Sequence, residues 1–301
     1  MFSSRSGAAK LSITVVIILI VLKVVVGAIT GSLSVLAQAI DSFLDLFAVA
    51  ITFFAIRIAT KPADEEHPFG HGKAENIAAI AQAILIFIAG GAIIYSAVHR
   101  IQVGTTLELT EAGIGVMLVS IVASIFLSRH LLKVSQLEDS LALQANAHNI
   151  AADVYSAGAV LVGLLVVRFT RLSIIDPILA ILVALFIFKV AYDVLKNSFG
   201  GLVDVKLPEA EENTIRSVIK EHAGQVVDFH ALRTRKAGSQ RYIDLHLVMP
   251  KDTGLEEAHR MCDHLEEDLE SKLGNTDVTI HVEPCDENCD WCTFTCDRRK
   301  K

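Results

Sequence analysis

No cysteine occurs in this 301-residue chain before Cys262, and four of its five cysteines crowd into the last seventeen residues. The apolar body therefore holds no disulfide framework, and the close spacing at the end suits a metal better than bridges. A Gly-rich phosphate loop of the Walker type is also missing, which disfavours an ATP-driven machine. Positive charge is short: 27 Lys and Arg stand against 34 Asp and Glu, a formal charge of −7. The acidic excess lies largely in the C-terminal part and argues against a nucleic-acid partner. Met1 to Lys10 is short and polar, and no small-residue cleavage site closes the first apolar run. No signal peptide is expected, and the run should remain as a span.

What is abundant is apolar sequence. Hydrophobic residues make up 52% of the chain and the mean hydropathy is +0.49, with the excess concentrated before residue 200. This pattern implies a membrane domain over 1–204, a soluble domain over 205–284 and a cysteine-rich tail over 285–301. Six segments reach the roughly 20 residues a helical span needs. They cover 11–31, 33–58, 77–99, 112–132, 146–168 and 172–195. An even number places both termini on one side. Arg5, Lys10, Arg57, Lys61, Lys73, Arg129, Lys133, Lys196 and Lys206 flank that side, against Arg100, Arg168 and Arg171 on the other. By the positive-inside rule the termini and the loops 59–76 and 133–145 are cytoplasmic. Gly27, Gly31, Gly90 and Gly91 offer places for close helix packing.

After Pro208 the period changes. Glu209 to His222 reads as an amphipathic helix with acids in its first turn. Gln225 to Arg235 reads as a strand. Arg241 to Met249 alternates, with Ile243, Leu245 and Leu247 on one face and Tyr242, Asp244 and His246 on the other. Leu255 to Leu273 is a second helix and Asp277 to Glu283 a last strand. The order αββαβ gives an α+β layer with helices on one face of a sheet.

Charged residues inside the spans are the anomaly. Asp41 and Asp45 lie four apart in an apolar run, so on a helix they share a face. A charge at membrane depth costs about 2.5–3.5 kcal/mol, so something must offset two of them. An ion pair with Lys23 is the plainer reading, although Lys23 would reach only one acid well. Asn149 and Asp153 in the fifth segment repeat the i, i+4 spacing, and two such helices facing each other build a four-ligand site in a bundle. His148 stands about 100° round the helix from that face. A second group, Asp64, His67 and His71, offers one oxygen and two imidazoles within eight residues. His67 and His71 are spaced as in an intramembrane zinc protease, but Pro68 stands where that motif needs its general-base Glu.

Gly31-Ser-Leu-Ser-Val-Leu-Ala-Gln-Ala-Ile-Asp41-Ser-Phe-Leu-Asp45 and His67-Pro-Phe-Gly-His71-Gly-Lys-Ala-Glu75 resemble the cation diffusion facilitator family over about residues 10–284. The resemblance implies a dimeric divalent-metal/proton antiporter. It would have six transmembrane helices and a cytoplasmic ferredoxin-like α+β domain, and would act in the lipid bilayer of a prokaryotic cell (inner) membrane. It implies a transport site at Asp41, Asp45, Asn149 and Asp153, and a loop site at Asp64, His67 and His71. It further implies a binuclear site at the dimer interface from His230, His246, His259, His281 and Glu283. Lys73 and Asp204 match a pair that interlocks the protomers of a homodimer. The soluble part agrees on its own terms, since four histidines in about fifty residues and an acid at Glu283 exceed what a core requires.

One position departs from the commoner zinc pattern of that family: Asn149 stands where a His is usual. Asn149 with three carboxylates is an all-oxygen set, which suits Mn²⁺, Mg²⁺ or Fe²⁺, whereas imidazole favours Zn²⁺. Mn²⁺ or Fe²⁺ is therefore the expected cargo. The alternative is a Zn²⁺/Cd²⁺ exporter in which His148 swings in and restores a nitrogen ligand. In the tail, Cys285, Cys289, Cys292 and Cys296 are spaced to hold one zinc tetrahedrally, or else remain spare thiols. Cys262 is expected to be a buried apolar residue. Because the ligands bind metal when deprotonated, loading expels protons, and protons serve as counter-substrate in an alternating-access cycle. A membrane-anchored metal sensor or scaffold is a different class of function, and acids inside the spans speak against it. A passive channel is a third.

Overall fold

The computed structural model describes residues 4–30, 33–103, 111–170, 174–223 and 225–285. The side chains of residues 30, 33–38, 40, 41, 44, 111–113, 160, 161, 163–170, 175 and 176 fall outside that description. Six long helices come first: α1 (Arg5–Thr30), α2 (Leu33–Ala59), α3 (Lys73–Val103), α4 (Glu111–Leu137), α5 (Leu141–Thr170) and α6 (Ile175–Leu202). A mixed region follows: α7 (Glu209–Glu221), β1 (Asp228–Ala237), β2 (Gln240–Met249), α8 (Leu255–Leu273) and β3 (Thr276–Pro284). The chain divides into two compact units, Met1–Phe199 and Gly200–Lys301.

Among the described residues, four helical stretches are long and apolar enough to cross a membrane: Arg5–Ile29, Lys73–Val103, Ile114–Leu137 and Pro177–Leu202. The helices α2 and α5 carry the intramembrane acids and the Asn149 amide. Within the bundle α1 packs on α2 and α4, α5 packs on α4, α3 and α2, and α2 packs on α3. Ile18, Phe47 and Phe126 stand outward and more than half exposed, as expected where lipid rather than water covers the surface.

Buried polar side chains tie the helices together where lipid cannot satisfy them. Gln82 on α3 donates to the Thr52 hydroxyl of α2 at 2.9 Å. Asn76 donates to the Ser198 carbonyl of α6 at 3.0 Å, and Asn146 on α5 donates to the Ser12 hydroxyl of α1 at 3.2 Å. Glu75, fully buried, meets the Arg5 guanidinium at 3.2 Å and accepts from the Ser140 hydroxyl. Gly90 earns its place in α3, since a Cβ there would lie 2.5 Å from the Phe188 ring of α6.

Most of the helices run further than hydropathy indicates, although α6 begins at Ile175 rather than 172. Helix α5 begins at Leu141 rather than 146, because Asp139 turns the chain at φ 53° and the Ser140 hydroxyl accepts from the Leu143 amide at 3.4 Å. That is N-capping, and it extends the helix into polar sequence.

In the second unit the sheet order is β1-β2-β3. The β1–β2 pair is antiparallel, and β3 returns parallel to β2 after α8. Ile243, Leu245 and Leu247 are essentially inaccessible and pack with Ile215, Ile219, Leu265 and Leu269 of the two helices. The alternation in β2 thus places its apolar face against the helices, and His246 on the other face. Cys262 is buried in the same core, where burial pushes its thiol up, followed by the nearby charges of Glu266 and Asp263.

Candidate metal sites

Strand register builds the cytoplasmic group. His230 of β1 stands directly opposite His246 of β2, which stands opposite His281 of β3. Their rings follow one another at 5.1 Å and 4.8 Å. Glu283 sits two residues after His281, on the same face of β3. Its carboxylate meets His246 Nδ1 at 2.8 Å, His230 Nε2 at 3.4 Å and His281 Nε2 at 3.7 Å. Two ligands about 2.0–2.2 Å from a tetrahedral zinc lie roughly 3.3–3.5 Å apart. The His230–Glu283 separation already fits that geometry, while the His246–Glu283 contact is a hydrogen bond that a metal would have to open. A β-bulge between His230 and Arg233, with Ala231 at φ 50°, ends the regular pairing beside this group. His259 is not drawn into it. It is exposed on α8, 3.6 Å from Asp263, and lines with Glu283 the groove between α8 and β3.

The loop group is compact. Asp64 Oδ1 accepts from the His67 amide at 2.7 Å and meets His67 Nδ1 at 3.1 Å, while Oδ2 meets His71 Nε2 at 3.4 Å. The His67 and His71 rings are 4.5 Å apart. Pro68 keeps this stretch out of a helix, and Gly70 at φ 74° turns His71 back towards Asp64. The amide bond from His67 holds the Asp64 carboxyl below its ordinary range, with its two histidine neighbours adding to the effect. His71 Nδ1 is buried without a hydrogen-bond partner.

In the bundle, Asn149 is buried on α5, Asp153 is exposed one turn later, and Asp45 is half-buried on α2. Asp41 lies one turn before Asp45 on the same helix, and its side chain is outside the described residues. Lys23 reaches α2 at the Ser42 hydroxyl, 2.6 Å away. His148 lines a cavity between α5 and α6 with Gln144, Asp193 and Asn197, so its ring is directed at α6. Cys285 is half-buried after β3, and its amide donates to the Met249 carbonyl at 2.7 Å. Cys289, Cys292 and Cys296 lie outside the described residues. Asp204 pairs with Arg235 at 3.6 Å, and Lys73 opens α3.

Two groupings escape a reading of the sequence. One is the Arg5–Glu75–Ser140 network, whose members are far apart along the chain. The other is His222, His264 and Asp268, whose ligand atoms lie within 4.8 Å of one another. The i, i+4 spacing of His264 and Asp268 was the only local sign of it.

Long apolar helices, acids set inside two of them, and His/carboxylate clusters in the soluble parts define a membrane protein that handles metal cations. Comparison with known proteins agrees. A model of the cation efflux transmembrane domain matches residues 9–203, and one of the cation efflux protein cytoplasmic domain matches residues 207–285. The cation-efflux pump FieF of Pectobacterium atrosepticum is 34% identical over 279 residues, covering 92% of each chain. An uncharacterised transporter of Synechocystis is 31% identical over 283 residues, 94% of this chain and 91% of its own. A solved structure of the transporter CzrB in its zinc form is 43% identical, covering 27% of this chain and 92% of that one, at a TM-score of 0.26. The chain belongs to the cation efflux family, the cation diffusion facilitators: it is an integral membrane divalent-cation efflux transporter with a cytoplasmic C-terminal domain, not an enzyme.

Proposed function

We propose that the chain is a homodimeric, proton-coupled exporter whose cargo binds at Asp41, Asp45, Asn149 and Asp153, with Mn²⁺ or Fe²⁺ preferred over Zn²⁺. The observation that carries the ion preference is Asn149. It is buried on α5 one turn before Asp153, and it supplies an amide oxygen where an imidazole would favour zinc. Carboxylates at that depth bind either a divalent cation or protons, so each displaces the other. Rocking of α2 and α5 relative to their neighbours then exposes the site to the two faces of the prokaryotic inner membrane in turn. Asp64, His67 and His71 form a second, cytoplasmic metal site. His230, His246, His281 and Glu283, with His259, form a third that draws the cytoplasmic domains of the dimer together. Lys73 and Asp204 interlock the protomers, and the four tail thiols hold a further zinc.

A Zn²⁺/Cd²⁺ exporter is the second reading, favoured by the imidazole content of the loop and sheet clusters. Competition among Mn²⁺, Fe²⁺, Zn²⁺ and Cd²⁺ for flux into proteoliposomes separates the two. Asn149→His should move the preference at least about tenfold towards Zn²⁺. An unchanged preference refutes the assignment of selectivity to Asn149.

A further inference from the structure

His222 closes α7, and its Nδ1 lies 3.0 Å from the Val218 carbonyl oxygen. A carbonyl only accepts, so Nδ1 carries the proton and the neutral ring presents a lone pair at Nε2. That lone pair faces the Asp268 carboxylate at 3.4 Å. Two acceptors so placed need a proton or a cation between them. His264 stands four residues before Asp268 on α8, on the same helix face, and its ring centroid is 5.6 Å from that of His222. The three ligand atoms fall within 4.8 Å of one another.

We propose that His222, His264 and Asp268 form a divalent-cation site of zinc type, with two imidazoles, one carboxylate and a fourth position open to water. The 3.4 Å between His222 and Asp268 is close to the roughly 3.3–3.5 Å that two ligands of a tetrahedral zinc keep. The bond from His222 to a backbone carbonyl is the outer contact that commonly orients a metal-bound histidine. Two contacts frame the cluster. Lys272 grips both carboxylate oxygens of Glu221 at 2.9 Å, and Ile219 and Leu265 are buried beneath the two helices. This cluster joins α7 to α8 in the helical layer, whereas His230, His246 and Glu283 stand on strands. With two nitrogen ligands it binds Zn²⁺ well ahead of Mn²⁺. The cytoplasmic domain would thus respond to zinc through a site separate from the oxygen set in the bundle.

The test is equilibrium dialysis of the metal-free, detergent-solubilised full-length chain against buffered free Zn²⁺. His264 is exposed, so His264→Ala should keep the fold, checked by circular dichroism. It should bind one Zn²⁺ fewer per chain, and its loss should add to that caused by His246→Ala. Asp268→Asn should weaken the same class of sites at least about tenfold. Identical isotherms for His264→Ala and the unsubstituted chain would overturn the proposal. So would a loss seen with His264→Ala but absent with Asp268→Asn.

Discussion

In the cytoplasmic unit three histidines occupy directly opposed positions on three hydrogen-bonded strands, whereas in the bundle the ligand candidates stand on two separate helices. A ladder fixes its register to the residue, because a slip by one would turn every side chain to the other face. Groups on α2 and α5 keep their spacing only as long as the helices keep theirs. On the proposed function, the strand cluster would hold what it binds, and a pair of helices able to shift would let go, as an exporter must release its cargo.

The sharpest way to break that contrast is to remove an acid from each kind of place in the bundle. Asp153→Ala should abolish metal flux into proteoliposomes, by about a hundredfold or more, while melting close to the unsubstituted protein. Undiminished flux would remove Asp153 from the transport site. Glu75 is the control: it is fully buried and paired with Arg5 at 3.2 Å. Glu75→Ala removes the acceptor of the Ser140 hydroxyl and one partner of Arg5, which keeps its contact with Glu138 at 3.5 Å, and should lower the stability of the bundle by about 1–3 kcal/mol. Thermal unfolding in detergent checks it, and a stability unchanged by Glu75→Ala would show that the network is not structural.

The same contrast runs between the two faces of β2. Leu245→Ala opens a cavity against α7 and α8 and should cost about 2–5 kcal/mol of the cytoplasmic unit's stability. His246→Ala, one residue on, loses a partly exposed contact with Glu283 and its ring contacts with His230 and His281, and should cost less than about 1 kcal/mol in metal-free protein. Denaturant unfolding of the metal-free chain measures both. Equal losses would mean that the histidine face is part of the core rather than a surface for ligands.

How much of this could be read beforehand depended on the range of the physics involved. Helix α8 matches its expected bounds, Leu255 to Leu273, because amphipathic period and flanking Gly254 and Gly274 are local. The alternation of Ile243, Leu245 and Leu247 found the core face of β2 for the same reason. Local signals also placed Asp64, His67 and His71 together, being eight residues of one turn. By contrast the row His230, His246, His281 depends on a bulge in β1 and on the parallel return of β3. No residue pattern states where β3 will pair. The His222, His264 and Asp268 cluster depends on which faces of α7 and α8 meet. The start of α5 was read late because hydropathy sees apolar residues, while Ser140 and Asp139 begin that helix by capping and by a left-handed turn.

The smallest expected effect concerns the stretch that leads into α7, and it shows what surface charge contributes compared with the buried pairs above. Lys206 meets Glu212 at 3.0 Å, and the Thr234 hydroxyl donates to the same carboxylate at 3.2 Å while accepting from the Leu207 amide at 3.0 Å. Lys206 holds the Glu212 carboxyl below its ordinary range, against an opposing effect of burial and with help from Thr234 and Arg216. A carboxyl depressed on folding stabilises fully above its unfolded value of about 4.3, and loses that contribution as pH falls through the lower folded value. Glu212 should therefore titrate below an ordinary glutamate in carboxyl-labelled NMR spectra of the full chain, and Lys206→Ala should move its midpoint up. Because the Lys206 partner is two-thirds exposed, the accompanying change in stability should be small and should fade with added salt. A midpoint that ignores Lys206→Ala would transfer the effect to Thr234, whose bond to Leu207 then becomes the contact that seats this stretch on β1.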